Sequence, residues 1–101
     1  MGLNIELQDE RGLAPTSLAD SQNVLRSLLP DDEVLHPLLA SIDLYGDTVF
    51  NRIQMERFLR EWSEVSARTQ SDEGSALCAA IESMATRCRD DVHLYLKFIG
   101  D

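Results

Sequence analysis

Leu3, Ile5 and Leu7 alternate with Asn4, Glu6 and Gln8 at the start of the chain. A period of two predicts a half-buried strand, which Asp9 to Gly12 then ends. Near the other end Val92, Leu94, Leu96 and Phe98 alternate with His93, Tyr95 and Lys97, predicting a closing strand rich in strand formers. Two strands alone are marginal in water. The terminal strands are therefore expected to pair with each other, joined by a short third strand near 48–50.

The segments between the strands change period. Asp20 is placed to cap a helix carrying Val24, Leu25, Leu28 and Leu29, which Pro30 stops. In DDEVLHPLLASID, Leu35, Leu38, Leu39 and Ile42 recur at helical spacing, but Pro37 removes a hydrogen bond and predicts two helical turns, the second beginning near it. Asn51 is an N-cap with Gln54 completing a capping box and Phe50 positioned to staple onto Met55. The helix it launches shows an apolar stripe of Met55, Phe58, Leu59, Trp62 and Val65. Arg52, Glu56, Arg57, Arg60, Glu61, Glu64 and Arg68 are read as a solvated, self-paired charged face. After a turn at 69–72, Leu77, Ala80, Ile81, Met84, Ala85 and Cys88 mark a second long helix, ending near Arg89.

The elements add up to an α+β fold. The N- and C-terminal strands pair in a small antiparallel sheet, packed against a short helix and a long antiparallel helix hairpin. No repeat or linker divides the chain, so residues 1–101 are read as a single domain.

Charge narrows the functional classes. Eighteen acidic residues against nine basic ones give a formal charge of −9, and eight of the nine basic residues are Arg. Such a surface repels nucleic acid, and no basic cluster offsets it. The same field speeds encounter with a basic protein. No apolar run is long enough to span a membrane, and the N-terminus lacks a signal pattern, so a cytoplasmic protein is expected. Cys78 and Cys88, ten positions apart on one predicted helix, lie about 15 Å apart along its axis and do not form a disulfide with each other.

Candidate chemistry is sparse. There is no G-x-S-x-G elbow, no C-x-x-C or H-E-x-x-H pair, and no glycine-rich phosphate loop, so no cofactor is expected. His36 and His93 are read as packing or surface histidines. One segment, DLYGDTVFNRIQ at 43–54, resembles a degenerate EF-hand calcium loop running into its exiting helix. Asp43 matches the first ligand position, Asp47 the fifth, Val49 the backbone-carbonyl seventh and Asn51 the ninth, with Gln54 at the twelfth. Tyr45, Thr48 and Gln54 depart from the pattern at the third, sixth and twelfth positions, leaving two anionic ligands. Two other readings of the segment are a plain turn whose aspartates cap nearby backbone, and a recognition tip formed by Tyr45, Gly46 and Asp47.

The function expected from these features is a non-enzymatic interaction protein, monomeric or homodimeric, that covers a basic protein partner in the manner of an inhibitor, immunity protein or adaptor. Its candidate contacts are Asp31, Asp32, Glu33, Asp43, Tyr45, Asp47, Asp90 and Asp91. The alternative is a metal-responsive module using Asp43, Asp47, Val49, Asn51 and Gln54. An enzyme drawing residues from separate segments around His36 or His93 is a second alternative.

Overall fold

The computed structural model describes residues 3–20 and 24–100. Strands β1 (Asn4–Gln8), β2 (Thr16–Ala19), β3 (Asp47–Phe50) and β4 (Tyr95–Ile99) form one antiparallel sheet in the order β2-β1-β4-β3. The terminal strands pair as expected, from Asn4 opposite Ile99 to Gln8 opposite Tyr95. The short third strand joins on the far side of β4, with Phe50 opposite Leu96. Alternation sends Ile5, Leu7, Leu96, Phe98 and Phe50 to one buried face, while Val49 and Asn4 stay exposed on the other.

Two features of the sheet differ from the sequence reading. Strand β2 was not expected, because Leu18 is its only large apolar side chain and the strand lies at an edge. Val92 and His93 precede the closing strand instead of opening it. The Asp91 carboxylate accepts the His93 amide (2.9 Å) and its carbonyl accepts the Leu94 amide (3.3 Å), a turn that delays β4 and leaves Val92 exposed.

Helices cover the buried face. Helix α1 (Val24–Leu28) and α2 (Pro37–Ala40) are short, and α3 (Met55–Arg68) and α4 (Asp72–Asp90) form the long hairpin. The capping box is present as read: Gln54 N–H donates to Asn51 Oδ1 (3.1 Å) and Asn51 N–H to Gln54 Oε1 (2.9 Å). A 3₁₀ turn (Arg52–Gln54) leads from it into α3. Ser71 opens α4 by accepting the Gly74 amide at 3.0 Å. The Asp20 carboxylate is buried and accepts the amides of Val24 (2.9 Å) and Leu25 (2.6 Å); the link between them, 21–23, lies outside the described residues.

The core joins the two layers. Phe58 of α3 packs 5.4 Å from Phe50 and 6.0 Å from both Phe98 and Trp62, measured between ring centres. Trp62, fully buried, donates its indole N–H to the Cys78 carbonyl of α4 at 3.0 Å. Both cysteines are buried and free. No helix among the described residues is long and apolar enough to cross a membrane.

Candidate functional site

Two turns and the C-terminal half of α3 build the site. Pro30 ends α1, and Asp32 organises the turn beyond it. The Asp32 Oδ1 accepts the amides of Val34 (2.9 Å) and Leu35 (3.0 Å), and its carbonyl accepts the His36 amide (2.8 Å). Those Leu35 and Val34 amides hold the Asp32 carboxyl below its ordinary pKa, so the group stays charged into acidic solution. The turn faces its two apolar residues outward. Val34 is 83% and Leu35 62% exposed, which corrects the helical-stripe reading of Leu35.

Pro37 then starts α2, whose first amides are met from another helix. The Glu61 carboxylate accepts Leu38 N–H (3.1 Å) and Leu39 N–H (3.0 Å), and pairs with Arg57 Nε at 2.9 Å. Glu61 is buried, not part of a solvated ladder as its charge suggested. The signal was present in its spacing: it falls three residues after Phe58 and four before Val65, on the apolar stripe.

His36 is the second residue that sequence reasoning underused. Its side chain is 6% exposed, and Nε2 lies 3.3 Å from Oε1 of Glu64 one turn further along α3. Its Nδ1 is buried without a hydrogen-bond partner among the described residues. The ring lines a cleft of about 430 Å³ between the 27–36 segment and α3.

A second cleft, of about 280 Å³, is lined by Arg26, Asp31 and Leu44 among others, and so joins this turn to the start of the 43–46 turn. Tyr45 N–H donates to Asp43 Oδ1 at 2.9 Å, and the Asp43 amide donates to Thr48 Oγ1 at 2.9 Å. Tyr45 is 71% exposed, yet held: Arg26 Nη2 donates to its hydroxyl at 3.2 Å and the guanidinium lies 5.9 Å from the ring centre. The Gly100 amide donates to the Gly46 carbonyl at 2.6 Å, anchoring the turn to the end of β4.

The candidate contacts are thus divided between two poles. Asp43 and Tyr45 lie in the turn at the end of the sheet where β4 finishes, and Asp31, followed in sequence by Asp32 and Glu33, shares a cleft with Leu44 of that turn. Asp90 and Asp91 lie before β4 begins, at the opposite end, where Asp90 pairs with Arg89 (3.0 Å) and His93 Nδ1 meets Glu10 (3.1 Å). Asp47 opens β3 opposite Ile99 at the same end of the sheet as the 43–46 turn, and its carboxylate lies 3.4 Å from Lys97.

The loop resembling an EF-hand spends its later residues on the fold. Val49 pairs with Lys97 in the β3–β4 ladder, and Asn51 and Gln54 bond each other in the capping box. Among the described residues no three His, Cys, Asp or Glu side chains are grouped to hold a metal ion. Models of known protein families, curated proteins and solved structures give no match to this chain.

Proposed function

We propose that this chain is a non-enzymatic interaction protein that docks through its acidic pole, residues 31–35 with Asp43 and Tyr45, on the basic surface of a protein partner. One observation carries the reading. Three exposed acids, Asp31, Asp32 and Glu33, run directly into two exposed apolar residues, Val34 and Leu35, while Asp31 also lines a cleft with Arg26, the residue that holds Tyr45.

Apolar anchors ringed by charge are the anatomy of a protein interface. Single exposed apolar residues are ordinary on any surface, but two in succession directly after three exposed acids offer an apolar anchor beside charge. The Asp32 turn and the Arg26–Tyr45 contact restrict these side chains before binding, which lowers the entropy lost on association. The formal charge of −9 supplies long-range attraction to a basic partner and repulsion of polyanions. Binding of this kind blocks or tethers its partner by covering it, which suits an inhibitor, immunity protein or adaptor.

The test is affinity capture from an extract of the source organism at low and high salt, using the natural chain and the double variant D31N/E33Q. A basic protein retained at low salt, released at high salt and lost from the variant is the expected result. Retention insensitive to both salt and the variant would overturn the reading.

A further inference from the structure

We propose that the cleft beside His36 receives one basic side chain of the partner, an ammonium or guanidinium carried on an aliphatic stem. The inference rests on the reading that the acidic pole binds a basic protein, and it names the group that enters.

The buried imidazole sets the chemistry. Glu64 Oε1 accepts from Nε2 at 3.3 Å, so a neutral His36 ring carries its proton there and leaves a lone pair on Nδ1. Nδ1 has no hydrogen-bond partner among the described residues, and a buried acceptor left unmet destabilises its surroundings. Only a donor satisfies it. Ammonium and guanidinium groups are donors without acceptor capacity, and they bring positive charge as well.

Charge and shape agree with that choice. Asp31 and Asp32 lie on the same cleft, and Glu64 adds a third carboxylate against the ring. Leu28, Pro30 and Val65 form an apolar wall suited to the methylene stem of a lysine or arginine, whose charged head then reaches the carboxylates. The opposing element is Arg68, an exposed cation on the cleft whose Nε donates to the Glu64 carbonyl at 3.3 Å. Its charge opposes that of an entering cation, so removing it should strengthen binding there.

The experiment is an NMR titration of the full chain with n-butylguanidinium, using sodium acetate as the anionic control. Saturable shifts at the His36 ring and the Val65 methyls are expected with n-butylguanidinium, with the ¹⁵N resonance of Nδ1 moving upfield as it accepts a hydrogen bond. Asp31→Asn should weaken the probe about two- to fivefold, and Arg68→Gln should tighten it by a similar factor. Absence of saturable shifts, or acetate binding that Arg68→Gln abolishes, would overturn the proposal. Salt-sensitive partner capture without a probe response at His36 would leave the docking function standing and remove the pocket. A probe response without any captured partner would do the reverse.

Discussion

Glu61, buried in α3, accepts a hydrogen bond of 3.0 Å from the backbone N–H of Leu39 in α2. With the Leu38 amide at 3.1 Å and Arg57 at 2.9 Å, the carboxylate serves as the cap that α2 lacks in its own sequence, since His36 at the N-cap makes no side-chain bond to the helix. Glu61 therefore docks α2, and His36 with it, onto α3. We predict that Glu61→Ala costs about 2–4 kcal/mol, because two helix-start amides are left unmet and half-exposed Arg57 loses its partner. Glu61→Gln keeps one acceptor and should cost less, about 1–3 kcal/mol. Urea unfolding of the two variants checks the order; equal small losses would show that the cap does not hold the site.

Burial pushes the Cys88 thiol up to about 11 from the 9.0 of an unperturbed thiol. The folded state thus favours the protonated form. Its contribution to stability is complete below pH 9.0 and is lost as the pH rises to about 11, since the unfolded chain releases that proton first. The loss is on the order of 2 kcal/mol across that window. Comparing unfolding of the natural chain and Cys88→Ala between pH 8 and 11 isolates it, and the variant should show the shallower fall.

Asn51→Ala removes one half of the capping box and should destabilise the protein by about 1–2 kcal/mol. A capping role makes that loss the same in millimolar calcium as in chelator. If Asn51 instead served a cation in the 43–54 loop, calcium would raise the melting temperature of the natural chain and the loss would grow with it. Thermal melts of both proteins with and without calcium separate the two roles.

A Cβ on Gly100 would come within 2.6 Å of the Leu44 carbonyl carbon and the Gly46 nitrogen, both backbone atoms. The 43–46 turn must then move away from β4. We predict a loss of about 1–3 kcal/mol for Gly100→Ala. The same displacement should weaken partner capture, because it carries Tyr45 with it. A variant that melts lower but binds its partner unchanged would show that Tyr45 lies outside the interface.

Local features of the chain were legible wherever one short segment holds the whole signal. Period-two alternation marked β1 and most of β4, and the Asn51–Gln54 spacing marked the start of α3, because capping and pleat depend on residues a few positions apart. Val92 misled for the same local reason: it continues the alternation, yet the Asp91 side chain turns the backbone there first. Strand β2 carried too little apolar signal to be read alone. It is a strand because β1 offers it a free edge, as Ile5 opposite Leu18 shows.

The sequence by itself determined the α+β class, the long helix hairpin, the acidic charge and the residues able to make an exposed acidic tip. The tertiary structure decided which of those residues meet. It buried Glu61 by bringing α2's unmet amides to it and set His36 against Glu64 across 28 positions. It also sent Asp31 and Asp91 to opposite ends of the sheet. Propensity, capping and charge act within a turn or two of the chain, whereas burial and the pairing of polar groups depend on neighbours that only the packed fold supplies.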